Sequence, residues 1–400
     1  MRILLVNKFD YHRGGAERAF LDQERWLREA GHSLAVLSQG EPSSSHSDDR
    51  ELVTPATFDA GALRALPHVG RMFWSREVYD ATSRLIARFR PQVALIHNAY
   101  HQLGPATLLA LARRRVPIVM VLHDQKLVCP AYSGLRQGEA CSECAGQRFT
   151  NAARHGCGGS SLKGALLAAE SYWQWRILRT YQRASALLAP SDYLRGRLAD
   201  MGLEQPVTLL RNGVQPEAGP FVPLGERPHV GFAGRLSSEK GAHLLLDAAR
   251  QLPLLRFRLA GKGPDETTLR RRIEQEKLAN VQLLGHLDQD SLRREMRTWR
   301  LAVVPSIMYE NCPYAALDAM ACQVPVIGAD AGGLRELAAW SGISFKRGSA
   351  ADLARTIDAS FHRLSELEHH VSAGTRFVHD ECSPERHVRS LVGVLSRSLP

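Results

Sequence analysis

Short apolar runs, separated by stretches of helical periodicity, recur along the whole 400-residue chain. RILLVN, SLAVLS, QVALIHN, PIVMVLHD and SALLAPS fall in the first half, and HVGFAG, RFRLAG, VQLLG, LAVVPS, VPVIGA and GISF in the second. Runs this short with no polar alternation read as strands covered on both faces. Such strands need helical crossovers, and the sequence supplies them. AERAFLDQERWLREAGH places Phe20, Trp26, Leu27 and Ala30 at roughly helical spacing, and Tyr79 to Phe89 is amphipathic. SSLKGALLAAESYWQWRILRTYQRA reads as one long helix and DYLRGRLADMG as a short one. The pattern predicts an α/β chain with two doubly wound, Rossmann-like parallel sheets.

Residues 211–228, RNGVQPEAGPFVPLGERP, carry four prolines and three glycines without periodicity and read as a linker. The expected divisions are therefore 1–210, a linker at 211–228, 229–380 and a C-terminal helix at 381–400. That helix, SPERHVRSLVGVLSRS, opens on Ser-Pro, an N-cap followed by proline at the first helical position. Its apolar residues at 388, 391, 392 and 395 form one face. Residues 40–62 are polar and read as a loop.

A 44% hydrophobic content is enough for two cores. No apolar run approaches the roughly 18 residues of a membrane span. The opening MRILLVNKFD reads as a first strand rather than a signal peptide. Seven cysteines, an odd number in a large chain, fit a reducing cytoplasm. Of the net charge of +10, most lies in residues 1–200, with 26 Lys and Arg against 18 Asp and Glu. That bias suits an anionic partner, such as a membrane surface met peripherally from the cytoplasmic side, or simply a solvated basic face. The helix at 162–183 sharpens the choice, because Tyr172, Trp173, Trp175, Ile177, Leu178 and Tyr181 stand beside Lys163, Arg176, Arg179 and Arg183. They are either lipid anchors or core. Nucleic acid is disfavoured, since the arginines are scattered and no recognition motif accompanies them.

The chemistry concentrates between Gly231 and Glu336. Arg235 and Lys240 follow an apolar strand and precede a helix. Two cations with free backbone N–H groups at such a junction suit a diphosphate. Glu310 and Asp318 flank a second strand-to-helix junction, and carboxylates there suit sugar or ribose hydroxyls. Together they describe a nucleotide-sugar site. The chain's one D-x-D, Asp288-Gln289-Asp290, directly precedes SLRREM and reads as helix-start acids, so no metal is implied at the donor. Gly261 and Gly263 lack the third glycine of a dinucleotide fingerprint and read as a turn.

The segment resembles the donor domain of glycosyltransferase family 4, retaining enzymes of the GT-B fold. The resemblance rests on G-R-x(4)-K-G at Gly234, Arg235, Lys240 and Gly241, and on Glu310 and Asp318 as an E-x(7)-E element. It also rests on A-M-A-C-x-x-P-V-I with G-G-x-x-E, a K-x(5)-GGAE loop, the His123-Asp124 pair and N-G-V at 212–214. It covers most of the chain, with 129–160 the least similar part. It implies two Rossmann-like domains facing across a cleft, and a last helix returning to the first domain. The implied activity is metal-independent, front-face transfer of a hexose from a UDP- or GDP-linked donor to a saccharide or lipid-linked saccharide, as in polysaccharide assembly. The implied catalytic residues are His123, Arg235, Lys240 and Glu310. The implied donor contacts are Gly14, Gly15, Asn212, Gly234, Gly263, His286, Leu287, Asn311, Cys312, Pro313, Tyr314 and Asp318.

The chain departs from the family pattern at two points. Asp318 replaces the usual glutamate and is one methylene shorter. Asn311-Cys312-Pro313 stands where Gly-Phe-Gly is common, so Pro313 removes a backbone donor. Gly14 and Gly15 fit a phosphate-facing loop, with a plain left-handed turn as the competing reading. Cys129, Cys141, Cys144 and Cys157 are spaced compatibly with structural zinc, and unligated or redox-sensitive thiols are the alternative. A sugar-nucleotide epimerase of the same fold and a non-catalytic nucleotide-sugar-binding protein remain the rival functions.

Overall fold

The computed structural model describes residues 1–40, 49–56, 68–216, 219 and 221–400. Two compact units emerge, Met1–Arg211 with His387–Pro400, and Asn212–Arg386.

Among the described residues the first unit contains nine strands, in chain order β1 (Arg2–Val6), β2 (Ser33–Gln39), β3 (Arg50–Val53), β4 (Val93–Ile96), β5 (Ile118–Val121), β6 (Leu135–Arg136), β7 (Glu139–Ala140), β8 (Ala186–Ala189) and β9 (Val207–Leu209). Seven of them form a sheet in the order β3-β2-β1-β4-β5-β8-β9, parallel throughout. Ile3, Leu4, Leu5 and Val6 are all fully buried, the mark of a strand covered on both faces. Leu391, Val394 and Leu395 of the helix Pro384–Arg397 join Ile3, Leu5, Phe20 and Leu27 in one apolar cluster.

The second unit holds β10 (His229–Ala233), β11 (Arg256–Ala260), β12 (Val281–Gly285), β13 (Trp299–Val304), β14 (Val326–Ala329) and β15 (Ile343–Phe345). They pair in parallel in the order β12-β11-β10-β13-β14-β15. In both sheets the order reverses beside the first strand, between β1 and β4 and between β10 and β13. Ligands in open parallel sheets bind outside the carboxyl ends of the strands at such a reversal.

Three expectations need correction. The loop expected at 40–62 lies partly outside the described residues (41–48 and 57–62), and 50–53 form the strand β3. That strand is mostly half-buried at the sheet edge, so its sequence lacks the apolar run of a covered strand. The linker expected at 211–228 is packed into the second unit: Val214 and Leu224 are fully buried there. Arg227 is buried as well and donates to the carbonyls of Val222 and Gln323. Proline and glycine in that segment report irregular backbone, not lack of packing; residues 217, 218 and 220 lie outside the described residues.

The long helix expected at 160–184 ends as a helix at Tyr172, widens through Trp173–Ile177 and stops at Arg179, whose φ is 52°. Its aromatics are held inward. Trp175 Nε1 donates to Leu127 O at 2.7 Å, Trp173 Nε1 donates to Phe73 O at 3.0 Å, and Tyr181 is buried. Trp175 and Tyr181 are therefore not lipid anchors, and Trp173 is half-buried, while Arg176, Ile177, Arg179 and Arg183 face outward. Among the described residues no helix is long and apolar enough to cross a membrane.

The last helix carries a titratable anchor. His387 is buried, Nδ1 lies 2.7 Å from Arg211 O, and Nε2 has no hydrogen-bond partner. Protonating Nε2 would bury an unpaired charge, and burial pushes the ring down to about 4 despite the bond to Arg211. Below its ordinary value of 6.5 the unfolded chain takes up a proton that the folded chain refuses. Stability from this group is therefore full above pH 6.5 and is lost as pH falls towards 4. By pH 5 the loss reaches about 2 kcal/mol. His387→Asn, whose amide can still donate to Arg211 O, should flatten the dependence of the unfolding midpoint on pH between 7 and 5. Parallel curves for the two proteins would refute this assignment.

Candidate active site

In the second unit the reversal point is built by two loops. The first leaves β10 as Gly234-Arg235-Leu236, turns through Ser238–Lys240 and enters the helix Ala242–Gln251 at Gly241. Gly241 has φ +74°, and a Cβ there would lie 2.0 Å from Pro305 O. Only glycine lets this loop lie against the end of β13. Gly261 and Gly263 close the other side, since Cβ atoms at these positions would fall 1.8 Å from Gly234 O and 2.1 Å from Leu236 O. The turn read at Gly261–Gly263 thus serves as backing for the Arg235 loop.

The second loop runs from β13 through Ser306 and Glu310 to the helix Tyr314–Ala321. Its seating is largely backbone: Ile307 N and Met308 N donate to Glu239 O at 2.9 and 3.2 Å, and Gly333 N donates to Glu310 O at 2.6 Å. Asn212 Nδ2 donates to Cys312 O at 3.2 Å, tying another expected contact residue to the same loop. Arg347 Nη1 donates to Ile307 O, with its guanidinium 4.7 Å from the Tyr309 ring.

Side-chain chemistry converges on Glu310, which is buried. Lys240 Nζ donates to Glu310 Oε1 at 2.6 Å, and Ser306 Oγ donates to the same oxygen at 2.7 Å. Lys240 itself is only partly covered, and Arg235 is exposed. A partly exposed cation thus sits against a buried carboxylate, with exposed Arg235 on the same loop. Such a set can bind an anion through Lys240 and Arg235 while leaving Glu310 to accept from hydroxyls. Asp318 is buried in the helix Tyr314–Ala321. His286 and Leu287 follow β12, and Pro313 precedes the helix that Tyr314 begins. Asp288 caps the helix Gln289–Met296, accepting from Ser291 N at 2.8 Å, as expected for helix-start acids.

In the first unit, Gly14 is extended at φ −168° and caps the helix Gly15–Glu29, so the competing left-handed turn is not formed. His123 follows β5, and burial, then the charge of Lys8, push it down to about 4. Asp124 accepts from Tyr100 OH at 2.9 Å and from Lys126 N at 2.8 Å. Lys126 Nζ donates to buried Glu170 at 2.8 Å, and His101 Nδ1 lies 2.8 Å from the same carboxylate. Burial raises Glu170, but Lys126 and His101 overcome it and bring the group to about 2. This network ties the segment after His123 to the helix Ser161–Tyr172.

The cysteines of that segment are free thiols. Cys144 is buried, and desolvation, then the neighbouring Cys129, Cys157 and Cys141, push it up to about 12. Among the described residues no three His, Cys, Asp or Glu side chains are arranged to hold a metal ion. Sequence reasoning missed Ser306 and His97. Both sit just past strand ends at a reversal point, and that position was the available signal.

The chain is similar to known proteins over most of its length. The profile for glycosyltransferase family 4 matches residues 13–218, and that for glycosyl transferases group 1 matches 220–376. The 2-deoxystreptamine N-acetyl-D-glucosaminyltransferase of Streptomyces fradiae is 31% identical over 412 aligned positions, covering 91% of this chain and 90% of that protein. The putative colanic acid biosynthesis glycosyltransferase WcaL of Escherichia coli is 30% identical over 208 residues. That match takes in 47% of this chain and only 50% of WcaL. Among solved structures, Anabaena HepE in complex with UDP superposes with a TM-score of 0.72 at 19% identity, covering 99% of this chain and all of that one. Sucrose-phosphate synthase from Thermosynechococcus elongatus gives 0.71 at 16% identity, covering 99% of this chain and 98% of that one.

Proposed function

The chain belongs to glycosyltransferase family 4 and has the GT-B fold; on that premise we propose that this hexosyltransferase uses a UDP- or GDP-linked donor, retains the anomeric configuration and needs no divalent ion. The observation that carries the reading is the Lys240–Glu310–Ser306 cluster at the β10/β13 reversal, with Arg235 exposed beside it. In the proposed reaction the sugar–phosphate bond breaks and negative charge grows on the leaving diphosphate. Arg235 and Lys240 stabilise that charge, the task a metal ion performs elsewhere. Lys240 turns from Glu310 to the phosphate, and the freed carboxylate accepts from the transferred sugar's hydroxyls. Asp318 serves the ribose. The acceptor hydroxyl attacks on the face the diphosphate leaves, and a phosphate oxygen takes its proton. By the family resemblance, His123 serves the transferred sugar.

A saccharide or lipid-linked saccharide acceptor is supported by the name of WcaL, a putative colanic acid biosynthesis glycosyltransferase, whereas the Streptomyces fradiae relative is named for transfer to 2-deoxystreptamine. Uridine is supported by the HepE structures, which hold UDP and UDP-glucose. Incubating the protein with UDP- and GDP-hexoses, without acceptor and with EDTA, tests the proposal. Slow release of nucleoside diphosphate and free sugar, unchanged by the chelator, is expected. Interconversion of the sugar nucleotide would identify an epimerase, and binding without turnover a non-catalytic protein. Activity lost to EDTA and restored specifically by Mg²⁺ or Mn²⁺ would contradict the metal-independent mechanism.

A further inference from the structure

A second histidine stands behind His123. His97 directly follows β4 and is 1% exposed. Its Nδ1 lies 2.8 Å from His123 Nε2, and its Nε2 lies 3.1 Å from Oε1 of Gln23, itself 2% exposed. The two imidazoles are nearly parallel at 23°, and Phe20 packs edge-on against His97 with centroids 5.4 Å apart.

Such a chain has a direction. An amide oxygen only accepts, so the proton on His97 must sit on Nε2. A neutral ring then has a bare Nδ1, which can only accept. The proton between the rings must come from His123 Nε2. Charging both rings would place two cations in contact beside buried His97, which their repulsion opposes. Gln23, set by the helix Gly15–Glu29, thereby dictates the hydrogen pattern two side chains away.

We propose that His97 is a positioning residue that sets the tautomer of neutral His123, with its proton on Nε2 and its acceptor lone pair on Nδ1. The consequence is chemical. A histidine in this form accepts a hydrogen bond through Nδ1, the form suited to a sugar hydroxyl, and brings no positive charge to the reaction. This rests on His123 serving the transferred sugar, and it adds what fixes that ring's state. His97 touches no substrate in this scheme; it acts through His123.

Ring ¹⁵N shifts of ¹⁵N-histidine-labelled protein at pH 7 test it, with the His123 signals assigned by their loss in His123→Asn. The wild type should show His123 protonated on Nε2 and bare on Nδ1. His97→Leu should convert it to a tautomer mixture and lower kcat for donor hydrolysis about tenfold, the size of one lost hydrogen bond, with KM changed less. His97→Asn, whose amide oxygen can accept from His123 Nε2, should recover most of both. His123 protonated on Nδ1 in the wild type would overturn the proposal, as would unchanged tautomer and kcat in folded His97→Leu. Should His97→Leu not fold, the wild-type spectrum still decides, and Gln23→Met gives a second variant in which the Nε2 signature should weaken. The proposed tautomer together with no turnover of any nucleotide-hexose would support the pairing and sink the functional reading instead.

Discussion

Lys240→Ala should lower kcat by roughly 100-fold or more, the usual loss when one charge-stabilising donor, worth about 3 kcal/mol, is removed. Arg235→Ala should do the same, but the two should differ in stability. Arg235 is exposed, so its loss should leave the unfolding free energy within about 0.5 kcal/mol. Lys240 is the cation beside buried Glu310. Removing it leaves the carboxylate with Ser306 and should destabilise the second unit by about 1–3 kcal/mol. Steady-state kinetics with urea unfolding of both purified variants would check this. Near-normal turnover in either variant would remove the diphosphate role.

A single methyl group added at Gly333 should be nearly as damaging, although it deletes no chemistry. A Cβ there would lie 1.8 Å from Asn311 O and 3.1 Å from Glu310 O, while Gly333 N holds Glu310 O at 2.6 Å. The helix Gly332–Ser341 cannot stay where it is and accept that atom, so the 310–313 loop must shift. Overpacking of this kind costs about 1–3 kcal/mol. Displacing a positioning carboxylate by about 1 Å can cost on the order of 100-fold in rate. Gly333→Ala should therefore lose turnover well beyond its loss of stability. Gly196→Ala is the control, since a Cβ there meets nothing within 4 Å; it should leave turnover unchanged and, inside the helix Asp192–Asp200, raise stability by up to about 1 kcal/mol. Full activity of Gly333→Ala would show that the loop's seating against Gly333 is dispensable.

Much of this was legible in the sequence because the relevant signals are local. Covered parallel strands announce themselves as apolar runs, as RILLVN and QVALIHN do. The strand–loop–helix junctions that carry Arg235, Lys240 and Glu310 follow directly from such runs. Strand β3 escaped because an edge strand is only half covered, and RELV looks like a loop. The 211–228 segment escaped because burial of Val214, Leu224 and Arg227 depends on partners far along the chain. The aromatic run at 172–181 was ambiguous for the same reason, since periodicity does not say whether Trp175 finds Leu127 O or a lipid. Ser306 and His97 are ordinary polar residues in sequence; only the sheet order brings one to Glu310 and the other to His123.

Hydrogen exchange with and without saturating UDP or GDP tests the donor site most directly, because it maps contact without requiring an acceptor. Protection should appear in 234–241, in 306–318 and at the start of the helix Gly332–Ser341, and Lys240→Ala should weaken it. Binding of either nucleotide with these segments unprotected, or protection confined to other parts of the chain, would contradict the placement of the donor at the β10/β13 reversal.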